Sequence, residues 1–285
     1  MTSTITALID GSVYAAAVCD HAAWIAGRTQ SDIALLHVIG RRDTGSEPAD
    51  LSGSIALGAR SALLKELSAL DETRAKLAQM RGRAILDDAR ARLAEAGVAD
   101  VSTLLRIGDV SETASEFEAQ SEMLVIGKRG EAADFAKLHL GSNLERVVRA
   151  ATKPVFVTSR AFKPIESFMI AYDGGASSMK AIDHVARSPL YAGLECQLVT
   201  VGAESAETTK RLDDGRRILE GAGYTVRPRL LAGEPAKAIA SIIDEDGVDM
   251  LVMGAYGHNR IRSLIIGSTT SEMVRSCRIP VVLYR

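Results

Sequence analysis

A run of small residues near the carboxyl end of the chain has the spacing of a phosphate cradle. Gly254-Ala255-Tyr256-Gly257 is followed by nine residues and then by Gly267-Ser268. The run directly follows an apolar segment, Met250–Met253, that reads as a strand. It precedes a helical stretch, Thr269–Cys277, closed by Pro280. A glycine at 254 leaves room for a ligand to approach the backbone where a Cβ would clash. Gly267-Ser268 opens a helix whose unbonded N–H groups and positive dipole end attract phosphate. Ser268 can cap that helix or donate its hydroxyl to a phosphate oxygen. His258 and Arg260 can meet phosphate or remain solvated loop charges. Without a ligand the same residues make a glycine turn and an ordinary N-cap, so the spacing alone leaves both readings open.

Other chemistries lack their residues. There is no G-x-x-x-x-G-K-[ST], which excludes a P-loop NTPase, and no G-x-S-x-G elbow. Gly221-Ala222-Gly223 has Val226 where a dinucleotide loop needs its third glycine, and it precedes a strand, so it reads as a helix stop. Asp173-Gly174-Gly175-Ala176-Ser177-Ser178 departs from the SGGxDS loop of ATP pyrophosphatases at its first and fifth positions. His37 and His139 are isolated and read as surface or satisfied core residues. No side chain stands out as a general base and no ligand set for a metal appears, so neither a catalytic residue nor a metal site is assigned.

The elements that must position the glycine run repeat along the chain. Strands are expected at Ile5–Ile9, Ile33–Val38, Val101–Ile107, Met123–Ile126 and Val155–Thr158. A second set is expected at Phe168–Ala171, Cys196–Val201, Val226–Leu231, Met250–Met253 and Val281–Tyr284. They alternate with helical patterns, as parallel strands joined by crossover helices do. They lack strict alternation, as strands buried on both faces do. Asp10-Gly11 answers Asp173-Gly174 and Val38 answers Val201, both 163 residues apart, whereas Gly108-Asp109 answers Gly233-Glu234 only 125 residues on. The shortfall places an insertion at about 40–78 of a first domain, 1–160; a second domain spans 165–285, after a linker around Pro164. The insertion begins as a polar loop (GRRDTGSEPADLSGS) and turns helical from about Ala59 to Ala96. Its stripe of Leu63, Leu67, Leu70 and Leu77 is expected to pack on the domain. An unbroken helix of that length would run about 57 Å, so a break is expected, with Gly82 a candidate.

Composition narrows the class further. The 285 residues are 47% hydrophobic and 25% charged, with a net charge of -2, so no global basic field recruits nucleic acid or an anionic membrane surface. Aromatics at 4% are too few for base-stacking platforms. Three scattered cysteines, Cys19, Cys196 and Cys277, suit a reducing compartment and offer no disulfide framework. The opening MTSTITALIDG lacks the regions of a signal peptide, and no apolar run reaches the length of a membrane span. A cytoplasmic protein is expected.

GAYGHNRIRSLIIGSTTSEMV resembles the nucleotide-binding signature of universal stress proteins, Gly-x2-Gly-x9-Gly-Ser/Thr. The resemblance covers the chain apart from the insertion, and includes Asp173, Gly233-Glu234-Pro235 and the terminal Pro280-Val281-Val282. It implies an α/β fold: two tandem, doubly wound, five-stranded parallel-sheet domains of strand order 3-2-1-4-5, adenine nucleotide alpha hydrolase-like. It also implies ATP or another adenine nucleotide as ligand, with Mg2+ as a companion ion, at the switch point of the sheet. Asp173 would face the adenosine, the Val201 backbone the adenine edge, and Met253 would supply apolar contact. Gly254, Gly257, Gly267, Ser268 and Thr269 would surround ribose and phosphates. The matching residues of the first half are Asp10, Val38, Ile126, Gly127, Gly130, Gly141 and Ser142. That half departs from the pattern: ten residues separate Gly130 from Gly141, they include Glu131 and Asp134, and Asn143 replaces a hydroxyl residue. The second domain is therefore expected to be the better site.

The implied function is a stress-response protein that acts through conformation, assembly or a partner. The alternatives are a slow ATPase or adenylate-forming enzyme, and a nucleotide-free structural module. In single-domain members the last strand mediates dimers. Here Pro154–Thr158 and Pro280–Tyr284 are two such edges, expected to pair within the chain because unpaired apolar edges are a liability. Further self-association into a homo-oligomer stays open.

Overall fold

The apolar, β-branched runs become ten strands in one sheet. The computed structural model describes residues 3–40, 57–130, 141–255 and 267–285 (57–62 as backbone only). The first half contributes β1 Thr4–Leu8, β2 Asp32–Gly40, β3 Val101–Gly108, β4 Met123–Gly127 and β5 Val155–Thr158. The second contributes β6 Ser167–Ala171, β7 Glu195–Val201, β8 Val226–Leu231, β9 Met250–Gly254 and β10 Val281–Tyr284. The sheet order is β3-β2-β1-β4-β5-β10-β9-β6-β7-β8, which is the 3-2-1-4-5 order followed by its mirror. All neighbours run parallel except β5 and β10, which pair antiparallel through Phe156↔Val282.

Burial explains the strand sequences. β5 and β10 are buried at every residue, and helices cover both faces, so polar alternation is absent. Their residues alternate between two apolar clusters: Phe156 and Val282 face one, Val155, Val157 and Val281 the other. The strands at the two ends differ. β3 is largely exposed, and β8 carries Pro228 between Arg227 and Arg229, tolerable because an edge strand can spare a ladder N–H.

Eight helices lie among the described residues: α1 Ala15–Thr29, α2 Leu57–Glu95, α3 Val110–Glu118, α4 Ser142–Ala150, α5 Ala176–Arg187, α6 Ala206–Gly221, α7 Pro235–Asp246 and α8 Ser268–Ser276. One face of the sheet packs α1, the end of α2, α5 and α6 through Ile25, Leu93, Val185 and Leu219. The other packs α3, α4, α7 and α8 through Ala114, Val147, Ile239 and Met273. Both clusters include residues of both halves and so pass under the β5–β10 junction. None of these helices is long and apolar enough to cross a membrane.

The insertion departs from expectation in two ways. α2 is one continuous helix of 39 residues, with no break at Gly82. The leucine stripe does not pack on the domain either: Leu63, Leu70 and Leu77 are 36%, 45% and 58% exposed. Only the last turns are anchored, by Leu86, Ala89 and Leu93. The earlier turns project, built from strong helix formers such as Ala, Leu, Lys and Glu. A helix of this composition needs no covering domain, and that removes the reason for a break. The polar loop at 41–56 lies outside the described residues.

Gly82 serves packing instead. A Cβ there would stand 2.7 Å from Leu105 Cδ1 and 2.9 Å from His37 Cδ2. Leu105 can turn away, but the His37 ring is held by its Nδ1 on the Ile9 carbonyl at 2.7 Å. Gly82→Ala should therefore lose about 1 kcal/mol, although a free helix position would gain about that much from the change. Urea denaturation measures it, and an alanine variant more stable than the parent would refute the packing role.

Candidate functional site

The switch point of each half lies where β1 and β4, or β6 and β9, diverge at their carboxyl ends. In the second half β9 ends at Gly254, and α8 begins immediately beside it. The Gly267 N–H donates to the Ala255 carbonyl at 3.2 Å, and Thr270 Oγ1 to the Gly254 carbonyl at 3.2 Å. These bonds hold the α8 N-terminus against the strand end. Gly267 is the N-cap, with φ -56° and ψ 144°, and supplies no side-chain oxygen. Ser268 is exposed at the first helical position, and Thr269 is half-buried beside it. Met253 is 5% exposed and Val201 half-buried at the end of β7.

Two of the second-half residues do something local that their expected roles did not include. Asp173 Oδ1 accepts from the Gly175 N–H at 2.8 Å and from Ser178 Oγ at 2.6 Å, so that oxygen belongs to the turn leading into α5. The turn needs glycine at 174, whose φ is +74°. Arg211 of α6 closes over it, donating from Nη1 to the Asp173 carbonyl at 2.9 Å. Gly254 was expected to leave space for ligand. A Cβ there would instead lie 2.8 Å from Ser177 Cβ and 3.0 Å from the Ser178 nitrogen. What it admits at that point is the start of α5. Gly257, His258 and Arg260 lie outside the described residues.

The first half repeats the arrangement with different neighbours. Gly141 is the N-cap of α4 and abuts the backbone of Lys128 and Arg129, and Ser142 is exposed at the first helical position. Asp10 Oδ1 accepts from the Ser12 N–H at 3.0 Å, as Asp173 does in its own turn. A Cβ on Gly127 would meet Tyr14 Cβ at 2.7 Å, and one on Gly130 would meet Asp10 Oδ2 at 2.9 Å. Ile126 is 7% exposed and Val38 half-buried. Glu131 and Asp134 lie outside the described residues, so the charges expected to disfavour this half have no described position. His37 is a satisfied core residue, and among the described residues no three His, Cys, Asp or Glu side chains gather as a metal site.

The helix starts divide into two groups. Away from the switch points, Asp109, Ser205 and Glu234 cap α3, α6 and α7 with their side chains. At the switch points, the N-caps of α1, α4, α5 and α8 are Tyr14, Gly141, Gly175 and Gly267, and none makes a side-chain cap. Four positive helix ends therefore converge, two per half, without the oxygen that elsewhere satisfies the first-turn N–H groups. A cavity of about 510 Å³, lined by Ser31, Met123, His184 and Tyr284 among others, contains none of the signature residues. Sequence reasoning missed Tyr14 and Arg211, whose contacts join segments far apart in the chain and leave no mark on spacing.

The comparisons point the same way. The pattern of the universal stress protein family matches residues 1–159 and 197–285. Universal stress protein Slr1230 of Synechocystis sp. is 37% identical over 279 residues, 97% of each chain. Universal stress protein Rv1636 of Mycobacterium tuberculosis is 26% identical over 141 residues, 41% of this chain and 94% of its own. Among solved structures, a universal stress protein from Archaeoglobus fulgidus superposes with a TM-score of 0.72 at 20% identity, covering 99% of this chain and 98% of its own.

Proposed function

The chain belongs to the universal stress protein family, and from that premise we propose that it binds an adenine nucleotide and acts in stress response through conformation, assembly or a partner. The observation that carries this reading is the set of four helix N-termini without side-chain caps at the switch points, while α3, α6 and α7 elsewhere are capped by side chains. An oligophosphate supplies the missing acceptors and meets the positive dipole ends. In the second half the phosphates would lie on the N–H groups of Ser268 and Thr269 and on the Ser268 hydroxyl. The adenosine would lie toward Asp173, Val201 and Met253. Residues 10, 38, 126, 127, 130, 141 and 142 would hold the weaker site. The donor set fits a nucleotide. Mg2+ would enter on the phosphates, as that ion commonly does, since no carboxylate cage is present among the described residues.

We read the site as one for binding, and the use of the acids supports that reading. Asp10 and Asp173 spend one oxygen each on turn N–H groups. The two halves would respond together, because β5 and β10 join them through a backbone ladder and both apolar clusters run beneath it. We place the protein in the cytoplasm, where the nucleotide is abundant and three thiols stay reduced.

The test is extraction and calorimetry. Protein purified without added nucleotide is denatured, its ligand identified by mass spectrometry, and the stripped protein titrated with ATP, ADP and AMP. At least one equivalent of adenine nucleotide per chain is expected. No retained nucleotide, and no binding with ATP at about 1 mM, where a complex is worth only about 4 kcal/mol, would overturn the reading.

A further inference from the structure

The two halves treat one pair of matching histidines differently. His21 of α1 and His184 of α5 stand 163 residues apart, the same offset that separates Asp10 from Asp173. His21 is fully buried, and its Nδ1 donates to the Ala17 carbonyl at 2.7 Å. Its ring packs against Phe156 and, edge-on, against Phe162, with centroids 5.5 and 5.1 Å away. Phe162 belongs to the linker between β5 and β6, so the chain itself supplies a ring that covers this histidine.

His184 has no such cover among the described residues. It lines the cavity of about 510 Å³, where the starts of β1, β4 and β5 meet the carboxyl half of α5 and the end of β10. Every residue of that lining is described. Ile5, Ile25, Met123, Pro154 and Leu190 make the wall apolar, and the Tyr284 ring lies 5.2 Å from the His184 ring. The Tyr284 hydroxyl is already committed to that of Tyr191, at 3.0 Å. The His184 ring nitrogens make no hydrogen bond among the described residues. Burial holds this imidazole below the ordinary histidine value, against the pull of Glu122 and with the aid of Arg187 and Lys153. It is therefore neutral at pH 7 and offers one donor and one acceptor. Both signs of charge line the cavity, Glu122 and Asp183 with Lys180, Arg187 and Arg285, so neither an anion nor a cation is selected.

An apolar space of this size with one free polar group has the make-up of a small-molecule pocket. The internal repeat shows what suits the position, since in the first half an aromatic ring occupies it. We infer that the cavity binds a small uncharged aromatic molecule with one hydroxyl or N–H group, a phenol or an indole, its ring against Tyr284 and Met123 and its polar group on His184. Ring contacts of this kind add to the gain from burial, and the hydroxyl satisfies an imidazole that otherwise lacks a partner. The cavity shares no residue with the nucleotide signature, and the inference does not rest on nucleotide binding.

The probes are p-cresol and toluene, which differ by one hydroxyl. Each is titrated into the full chain and followed by the methyl resonance of Met123, which Met123→Leu identifies by its loss. p-Cresol should shift that resonance with a Kd below about 1 mM. Toluene should bind about fivefold more weakly, for want of the hydrogen bond. His184→Phe keeps a ring against Tyr284 but removes both nitrogens. It should melt at the parental temperature and bind p-cresol no better than toluene. ATP at saturation should leave the p-cresol titration unchanged. No shift with p-cresol, or toluene binding as tightly in the parent chain, refutes the site. A preference for p-cresol that survives His184→Phe refutes it equally. Displacement of p-cresol by ATP would place the ring in the nucleotide site and overturn the inference. The toluene and ATP readings are made on the parent chain and hold even if His184→Phe does not fold.

Discussion

Gly254→Val should destabilise the protein by about 3 kcal/mol with no nucleotide present. The reason is the neighbour that the new side chain meets. A Cβ at 254 would stand 2.8 Å from Ser177 Cβ, 3.0 Å from the Ser178 nitrogen and 3.2 Å from the Ser177 carbonyl carbon. None of these atoms is the end of a flexible side chain, so no rotamer change relieves the contact. The start of α5 or the end of β9 must move, and overpacking of this kind costs about 1–3 kcal/mol even where the surroundings yield somewhat. Valine adds two methyl groups, which places it at the upper end. Gly127→Val should behave similarly, because Tyr14 Cβ and Cγ stand at 2.7 and 3.2 Å. The measurement is urea denaturation of nucleotide-stripped protein. A valine variant as stable as the parent, yet unable to bind ATP, would return Gly254 to the role of ligand clearance.

Gly267→Asp should do the reverse, keeping the fold and losing the ligand. The backbone at 267 has φ -56° and ψ 144°, a conformation open to any L-residue, so no strain follows. Aspartate is among the preferred N-caps, and its charge suits the positive end of α8. Stability should hold or rise by a few tenths of a kcal/mol. Its carboxylate would accept the same N–H groups that a phosphate needs, and would repel the phosphate that approached. Affinity of the second-half site for ATP should fall at least tenfold, or about 1.4 kcal/mol, read by calorimetry against the parent. Unchanged affinity with α8 intact would mean that phosphate does not bind at this helix start.

Much of the architecture was legible in the residues. All ten strands lie where β-branched runs bounded by turn residues place them, within a residue or two at the ends. The halving of the chain followed from repeated pairs such as Asp10-Gly11 and Asp173-Gly174. The edge position of β8 follows the implied 3-2-1-4-5 order, and Pro228 is tolerated there. The insertion was read less well. Its helix was recognised, but a break at Gly82 and a packed leucine stripe were both expected, and neither occurs. Helical periodicity shows which residues share a face. It does not show whether anything covers that face.

The candidate site divides along the same line. Glycine spacing, the strand before it and the helix after it are properties of one contiguous segment, and the sequence by itself determined them. Which atoms a glycine makes room for depends on elements far away in the chain: Ser177 beside Gly254, Tyr14 beside Gly127, His37 beside Gly82. The turn at Asp173 is local, but the Arg211 that closes over it comes from another helix. Lys128 donates to the Cys277 carbonyl only because β5 and β10 pair antiparallel, which brings the end of α8 to the end of β4. Lys128 and Cys277 are remote in sequence, and nothing in either segment records the other. Local propensity and periodicity act over a few residues. Close approach is set by how the sheet joins its two halves, and only the tertiary structure decided it.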